Sequence, residues 1–400
     1  MSKETIKVIA GIDGGNNSIK IYFQTLNAGS KSIIKKYYEN IYCERIDSEM
    51  KSEYKLSGTD FEKLSDILDV KVVSNKDDKE RINSFLFSDI AYRKYEGKIK
   101  DRKTNIKKSK DMQLIHNSLV ALTNSVIEDI IETEEIKNDE LDLEVYLCTG
   151  LPFKEYLDDD SNENYKKLFM GNHKIEFLHP KYPVKIVNVD VQKVMVEIEG
   201  MAALRKTIAE DRIEGNPEKI ISMIDIGCFT TDIATGIFKL KNDKIVFNPL
   251  ANLSDGINEG VVKVIDFTIN ALKAEYTFGQ HGKINRKQVQ EALKTENMIL
   301  GENISINPFY SEESNRLGKE IAEVYDNMLD RCGYTSRKIQ AIYLSGGGSK
   351  EEHIVDGFKD FLDIQEYNLD IIKKSKDPVY ANAKGYFGWI NAYATQKKLK

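Results

Sequence analysis

The hydrophobic pattern at the start of the chain predicts a hairpin of two strands. Residues 7–13 are mostly apolar and end on an aspartate, and residues 19–23 alternate apolar and polar side chains. Between them lies the run Gly-Gly-Asn-Asn-Ser, whose residue types form tight turns. The first element that we expect is therefore an apolar strand that reaches a carboxylate and then turns back.

The same order of features returns in the second half of the chain. Residues 220–226 are apolar up to Asp225, a short turn follows, and residues 232–238 form a second strand. Asp13 and Asp225 stand 212 positions apart (225 − 13 = 212). We interpret the two segments as copies of one repeat, each of which opens its own half of the chain.

The remaining pattern predicts an alternation of helices and strands. Apolar residues at helical spacing predict a helix over residues 111–134. Residues 30–110 are polar and weakly patterned, which indicates an inserted subdomain, and the acidic run at 158–164 is expected to be a solvated loop. By the same criteria we expect strands at about 141–152, 173–196 and 341–345, and helices at about 197–210, 256–275, 286–300, 312–330 and near the end of the chain.

The composition is that of an ordinary globular protein with room for two domains. The chain has 400 residues, of which 41% are hydrophobic and 30% are charged. It has no apolar run of membrane-spanning length and does not begin like a signal peptide, so we expect a cytoplasmic protein without a membrane partner. Its four cysteines are isolated, which argues against zinc, iron–sulfur and disulfide frameworks. A net charge of −6 does not favour direct binding to DNA phosphates.

The first turn carries the residues of a phosphate-binding site. Gly15 lets the backbone approach a phosphate, the amides of Gly15, Asn16 and Asn17 are placed to bind its oxygens, and Lys20 adds a positive charge. Asp13, at the end of the strand, is suited to hold Mg²⁺ through water, because this ion keeps most of its hydration shell. Taken alone, the same residues would also form an ordinary Gly-Asn hairpin turn.

The second turn repeats this chemistry. Asp225 is again placed to hold Mg²⁺ through water, and the backbone at Gly227, Cys228 and Phe229 is placed to bind phosphate, with hydroxyls from Thr230 and Thr231. A nucleotide's phosphates need donors on two sides, and two related turns supply them. The presence of both copies therefore favours a nucleotide site over two unrelated hairpins.

A third motif follows the apolar strand at residues 341–345. Gly346, Gly347 and Gly348 come directly after this strand. Glycines at a strand end leave space in which a flat base or a ribose packs against backbone. The alternative, a flexible linker, has no reason to follow a buried strand.

Together the three motifs resemble those of the actin, heat-shock chaperone and hexokinase superfamily. Residues 13–20 are similar to its first phosphate motif, residues 225–232 to its second, and residues 344–349 to its adenosine motif. Within the superfamily the chain most resembles the ParM/StbA-type plasmid-segregation actins and their Alp relatives, through Thr-Gly-Leu-Pro at 149–152 and the Thr-Thr-Asp that closes the second motif.

This resemblance implies an α/β, two-domain actin-like (ribonuclease H-like) fold with a nucleotide cleft between the domains. Domain I would span residues 1–186, with the inserted subdomain at about 30–110, and the C-terminal helix at 376–400 would pack back on it. Domain II would span residues 187–375. The cofactors implied are Mg²⁺ and ATP, with GTP as an alternative.

The resemblance also implies a catalytic residue. Residues 194–200 resemble the first connecting motif, where members of the superfamily place a Glu or Gln that orients the attacking water, and this position corresponds to Glu197. Glu199 is the competing candidate. Lys294 would contact the purine or ribose, although a solvated helix lysine is the favoured alternative. Residues 381–385 resemble the second connecting motif, whose small residues let helices pack closely.

The function implied is that of a filament-forming ATPase. Such a protein would bind its own copies head to tail and move plasmid DNA, bound only indirectly through a DNA-binding adaptor protein. The alternative is a sugar or other metabolite kinase of the same superfamily, which would need an acceptor pocket with a catalytic Asp that we do not identify.

Two further segments carry alternatives. Residues 97–110 contain seven Lys or Arg and one Asp, and form either a partner-facing or, as we favour, a solvated loop. The aromatic residues Tyr386, Phe387, Trp389 and Tyr393 favour the core packing of a terminal helix over a membrane-facing one.

Overall fold

The computed structural model describes most of the chain as two compact units. The described residues are 5–47, 50, 63–76, 79–94, 100–101, 106–133, 138–213, 218–241, 244–275, 284–293, 298–299, 302–303 and 305–399. The first unit is formed by Met1–Lys206 together with Asn382–Lys400, and the second by Thr207–Ala381. Each unit has its own mixed sheet and its own hydrophobic core.

The first unit is built on a sheet to which the described residues contribute ten strands. These are β1 (Ile6–Gly14), β2 (Ser18–Thr25), β3 (Ile34–Glu39), β4 (Ile41–Glu44), β5 (Asp69–Lys76), β6 (Lys79–Phe87), β7 (Lys100–Asp101), β8 (Glu140–Leu151), β9 (Gly171–Phe177) and β10 (Ile186–Ile198). Their order across the sheet is β3-β2-β1-β8-β10-β9-β5-β6-β4-β7. Strands β1, β8 and β10 are parallel, and the other neighbours are antiparallel.

The second unit repeats the central part of this arrangement. Its described strands are β11 (Ile220–Ile226), β12 (Thr231–Lys241), β13 (Lys244–Pro249), β14 (Asp255–Ile257), β17 (Ile339–Ser345) and β18 (Ile372–Lys374), and a separate hairpin joins β15 (Met298–Ile299) to β16 (Glu302–Asn303). The order is β13-β12-β11-β17-β18, with β14 paired to β12. As in the first unit, a hairpin, β11-β12, lies beside a parallel strand, β17.

The described helices connect and cover these strands. They are α1 (Asp89–Lys94), α2 (Met112–Thr133), α3 (Phe153–Tyr156), α4 (Asp159–Phe169), α5 (Met201–Glu210), α6 (Val261–Glu275), α7 (Arg286–Ala292), α8 (Asn307–Arg331), α9 (Glu352–Ile364) and α10 (Ala381–Gln396). In the part of the chain that the structure describes, no helix is both long and apolar enough to cross a membrane.

The central strands form because their sequences are apolar on both faces. Eight of the nine residues of β1 are buried, and β11 is buried at all but Asp225. Continuous apolar runs of this kind are typical of strands covered on both sides, whereas β2 alternates and packs mainly by one face. The hairpins predicted around Asp13 and Asp225 are confirmed.

Four of the predicted elements are wrong in their bounds or type. The helix expected at 256–275 begins only at Val261, because Asp255–Ile257 pairs with β12 as a strand. The helix expected from about residue 197 begins only at Met201, because β10 continues its pairing with β8 to Ile198. The helix expected at 286–300 ends at Ala292, and Met298 already lies in a strand. The acidic run at 158–164 opens α4, where Asp159 and Asp160 occupy the first turn and interact favourably with the helix dipole.

Residues 30–110 supply much more regular structure than their weak pattern indicates. Strands β3 to β7 belong to the same sheet as β1, and Val70, Val72, Phe85 and Phe87 are part of the core of the first unit. In the basic segment 97–110, Lys107 pairs with Asp158, and the backbone amides of Lys108 and Ser109 donate to Glu155, all distant in sequence. Lys108 is buried. Its solvated-loop interpretation is therefore wrong at that end.

The C-terminal helix α10 packs in the first unit, as its aromatic residues indicate. Tyr386 and Phe387 are buried in a cluster with Ile9 and Ala202. A Cβ atom at Gly385 would lie only 2.5 Å from the backbone carbon of Ala202, so the two helices approach at backbone distance.

We expect Gly385→Ala to lower the melting temperature, because the added methyl group meets backbone that has no room to move. Overpacking of this kind costs about 1–3 kcal/mol. Gly388→Ala, on the same helix, is the matched control, since its Cβ would lie 3.8 Å from the flexible side chain of Lys206. That variant should be neutral or stabilising by up to about 1 kcal/mol through helix propensity. Thermal unfolding of both variants checks this, and equal melting temperatures would contradict the close packing.

Candidate functional site

The two predicted turns have the same backbone geometry. In the first, the amide of Gly15 donates to the carbonyl of Ser18 at 2.9 Å, and in the second, Gly227 donates to Thr230 at 2.9 Å. The donors of these two bonds are 212 positions apart, and so are the acceptors, which is the separation of Asp13 and Asp225. The internal repeat predicted from the sequence is confirmed at the level of individual hydrogen bonds.

The first turn is held from one side by Asn40, which lies between β3 and β4. Its side-chain amide donates to the carbonyl of Gly15 at 2.7 Å, and its backbone amide donates to the carbonyl of Asn17 at 2.9 Å. A trans peptide group points its carbonyl and its N–H in opposite directions. The N–H of Asn16, which shares a peptide group with the Gly15 carbonyl, is therefore directed away from Asn40.

The charged residues of the first turn face each other across the hairpin. Asp13 is directly opposite Lys20 in the register of β1 and β2, and the Lys20 Nζ lies 3.2 Å from the Asp13 Oδ2. Asp13 is buried and Lys20 half-buried. The structure thus brings together a carboxylate, a cation and a turn of backbone amides within a few residues.

The second turn is held in the same way by the start of α6. The carbonyls of Gly227 and Cys228 accept from the amides of Val261 and Val262, at 3.2 and 2.7 Å. By the same geometry of the peptide group, the N–H groups of Cys228 and Phe229 are directed away from α6. Two different elements, Asn40 in one unit and a helix start in the other, therefore bind the carbonyl of the equivalent glycine in each turn and direct the amide that follows it away.

Phe229 and Thr230 complete the second turn. The guanidinium of Arg286 lies 5.6 Å from the centre of the Phe229 ring, and Arg286 is in turn fixed by two hydrogen bonds of 2.7 Å to Asp266. Thr230 and Cys228 are both half-buried. The sequence does not indicate this contact, because Arg286 lies on α7, far from Phe229 along the chain.

The glycine motif lies directly beside the second turn. Ser345 pairs with Asp225 in the parallel register of β17 and β11, and a Cβ at Gly346 would be 2.4 Å from the Asp225 Oδ1. Gly346 also has a φ of 79°, a conformation that favours glycine. Gly347 is exposed and Gly348 is buried against Ile226. The second and third motifs, far apart in sequence, therefore form one local structure.

Glu197 belongs to the first unit, level with Asp13. The register pairs Ile12 with Thr149 and Thr149 with Val196, so Asp13 and Glu197 follow equivalent positions on β1 and β10. Both carboxylates lie at the carboxyl ends of parallel strands, where ligands of α/β sheets bind. Two strand spacings separate them, roughly 10 Å.

The environments of Glu197 and Glu199 differ in a way that separates the two candidates. Burial raises the pKa of the Glu197 carboxyl, and Arg205, 3.5 Å away, offsets part of this effect. Glu199 is buried in an ion pair with Lys108. A carboxylate held by a buried lysine is engaged in structure, whereas a carboxyl with a raised pKa is suited to accept a proton.

The predicted site residues divide between the two units. Those in the first unit are Asp13, Gly15, Asn16, Asn17, Lys20 and Glu197, and those in the second are Asp225, Gly227, Cys228, Phe229, Thr230, Gly346, Gly347 and Gly348. Lys294 lies outside the described residues. Among the described residues, no three His, Cys, Asp or Glu side chains gather closely enough to hold a metal directly.

Tyr310 is a neighbour of the second turn that the sequence does not reveal. It is buried at the start of α8, close to Cys228, and hydrogen-bonds Glu351. Burial raises the pKa of its hydroxyl, and the Glu351 carboxylate adds to the effect. In the sequence, Tyr310 falls among the apolar positions of the helix, and this spacing indicates only that it lies in the core.

Two family models cover most of the chain. Residues 11–201 match the model described as actin like proteins N terminal domain, and residues 223–354 match the archaeal actin homologue MreB-like C-terminal model. No curated protein matches the sequence. The chain therefore belongs to the actin-like proteins, and its two units carry their two domains.

Solved structures of actin-like proteins have a similar fold. A ParM filament from Clostridium botulinum is 18% identical, with 96% of this chain and 99% of that chain covered and a TM-score of 0.64. Bacillus thuringiensis ParM with ATP is 17% identical, with 98% and 100% covered and a TM-score of 0.63. An archaeal actin homologue is 16% identical, with 96% and 99% covered and a TM-score of 0.65. At these identities the likeness shows the fold, which is the actin-like two-domain α/β fold predicted from the sequence.

We expect Glu197→Gln to raise the melting temperature at neutral pH. Burial disfavours the charged form, so the pKa of Glu197 is higher in the folded than in the unfolded state. Above its ordinary pKa the carboxyl therefore destabilises the fold, and a neutral amide does not. The advantage of the variant should shrink as the pH falls towards the ordinary pKa of a glutamate, which melting curves from neutral to acidic pH would measure. A difference in melting temperature that does not depend on pH would contradict the assignment.

Proposed function

We propose that this chain is a filament-forming actin-like ATPase that segregates plasmid DNA through an adaptor protein. The observation that carries the proposal is the duplicated turn, one copy in each actin-like domain, with a carboxylate two residues before each turn glycine. In this function both turns bind the phosphates of one nucleotide, ATP or alternatively GTP.

The residues present fit a magnesium nucleotide. Each turn requires glycine, since a Cβ at Gly15 or Gly227 would lie within 3 Å of a carbonyl of the same turn. Oriented amides and a lysine suit phosphate oxygens, and a single carboxylate from each of Asp13 and Asp225 suits an ion that remains largely hydrated. Gly346–Gly348 would pack against the base or ribose, and Lys294 would contact them. When bound, the magnesium nucleotide supplies the phosphoanhydride bond that is hydrolysed.

In the proposed mechanism Glu197 orients the water that attacks the terminal phosphate. Its carboxylate accepts a hydrogen bond from the water and takes up a proton as the new phosphorus–oxygen bond forms. The raised pKa supports this role, because a more basic carboxylate accepts the proton more readily. Lys20 and the amides of the two turns hold the phosphates, so that the oxygen of the water lies in line with the bond that breaks.

The proposal also includes self-association of the protein into filaments. One of the similar structures is a ParM filament, and another is a ParM with ATP. Head-to-tail contacts between identical subunits need not close into a ring, so they build open filaments. With a net charge of −6 the chain is not suited to hold DNA by itself, which supports an adaptor. We place the protein in the cytoplasm, where plasmid DNA is found.

We expect assembly to require Mg-ATP or Mg-GTP and to show a critical concentration. Sedimentation and phosphate release should be measured against protein concentration, without any added metabolite. Phosphate release should rise steeply above a threshold at which the protein begins to pellet. A metabolite kinase would instead remain a small oligomer and turn over in proportion to its concentration, and only with an acceptor. That second outcome would exclude the filament.

We expect Glu197→Gln to bind nucleotide and assemble, yet to hydrolyse it more slowly by roughly 10²-fold, the usual contribution of a general base. Glu199→Gln is the matched control. It lies two residues away but leaves the buried Lys108 cation without its carboxylate, so the variant should be less stable by about 3–5 kcal/mol. Below its melting temperature its hydrolysis should still stay near the wild-type rate. Single-turnover phosphate release measures both variants. Slow hydrolysis in Glu199→Gln alone would move the catalytic role to Glu199.

A further inference from the structure

Four side-chain amides form a head-to-tail chain that ends on the first turn. Asn83 Nδ2 donates to Gln113 Oε1 at 2.6 Å, and Gln113 Nε2 donates to Asn117 Oδ1 at 2.7 Å. Asn117 Nδ2 donates to Asn40 Oδ1 at 2.8 Å, and Asn40 Nδ2 donates to the Gly15 carbonyl at 2.7 Å. The chain therefore runs from β6 through α2 to the turn, with every donor pointing the same way.

Burial increases along this chain towards the turn. Asn83 and Gln113 are half-buried, whereas Asn117 and Asn40 are each 1% exposed. An amide that is buried so completely is stable only with its polar atoms paired, and each bond in a chain polarises the next. The orientation of the Asn40 amide is therefore set by Asn117 and, through it, by Gln113.

This orientation decides which side of the turn presents donors. Asn40 binds the carbonyls of Gly15 and Asn17 from one side. Since each peptide group is planar and trans, the N–H groups of Asn16 and Ser18 are directed to the other side. A turn whose peptide groups rotate would present a mixture of carbonyls and amides, and carbonyl oxygens repel phosphate.

We propose that Asn40, held by Asn117 and Gln113, is a positioning residue for phosphate binding by the first turn. The inference rests on the proposed function, since it assumes that the turn binds a nucleotide. Asn40 does not touch the phosphates in this role. It keeps the backbone donors aimed at them, as the start of α6 does for the second turn.

The test compares two asparagines of the same helix. Asn117 and Asn124 both lie on α2, both are buried, and both use their side-chain amide in hydrogen bonds. Asn117 supports Asn40, whereas Asn124 bonds the hydroxyls of Tyr38 and Tyr182 at 2.9 and 2.6 Å. Asn117→Ala and Asn124→Ala should therefore both lower the melting temperature, and only the first should weaken nucleotide binding.

The dissociation constants of Mg-ATP and Mg-ADP should be measured by calorimetry with the full chain and each variant. We expect Asn40→Ala to weaken both nucleotides about tenfold and Asn117→Ala about fivefold, as for loss of one buried hydrogen bond. Asn124→Ala should stay within about twofold of wild type. Gln113→Ala, at a half-buried link, should give a smaller loss than Asn117→Ala and serves if the inner variants do not fold.

The outcomes separate this inference from the proposed function. Wild-type affinity in Asn40→Ala and Asn117→Ala, or an equal loss in Asn124→Ala, overturns the positioning role while nucleotide binding stands. A wild-type chain that binds neither Mg-ATP nor Mg-ADP overturns the proposed function, and the positioning role with it.

Discussion

The planarity of the peptide group is the constraint on which the candidate site depends. A carbonyl that is bound on one side of a turn directs the neighbouring N–H to the other side. In the first turn Asn40 binds the carbonyls of Gly15 and Asn17, and in the second the amides of Val261 and Val262 bind those of Gly227 and Cys228. Two unrelated donors thus bind the carbonyl of the equivalent glycine in the two copies of the repeat. The repeat is preserved in its hydrogen bonds although the supporting elements differ.

The parallel strands determine where the carboxylates lie relative to these turns. Strands β1, β8 and β10 end at the same edge of their sheet, which puts Asp13 and Glu197 at one level. In the second unit β11 and β17 do the same for Asp225 and Gly346. Because parallel strands need long crossover connections, these residues are distant in sequence and meet only through the sheet.

Burial of charge distinguishes the carboxyl proposed to orient water from the carboxylate that holds the fold. Glu199 and Lys108 are both buried, and removal of one partner of such a pair leaves an uncompensated charge, which destabilises by about 3–5 kcal/mol. Glu197 is also largely buried, but its carboxyl has a raised pKa and lies 3.5 Å from Arg205. Two carboxylates separated by one residue therefore have different properties, because their side chains meet different partners.

The sequence by itself determined the local elements of this protein. The apolar strands that reach Asp13 and Asp225, the turns that follow and the glycines after β17 depend on residue type and short-range spacing, and all are present as predicted. The resemblance of these motifs was enough to identify the actin-like class.

Only the tertiary structure decided how these elements are supported. Asn40 reaches the first turn from 25 residues away, Asn117 reaches Asn40 across 77 residues, and Lys108 reaches Glu199 across 91. None of these contacts has a periodic signal, because a single polar residue in a strand or helix does not indicate its partner. The end of β10 also depends on a long-range contact, so the sequence predicts it wrongly. Pairing with β8 extends that strand to Ile198, and this pairing is a long-range interaction that overrides the local preference for a helix.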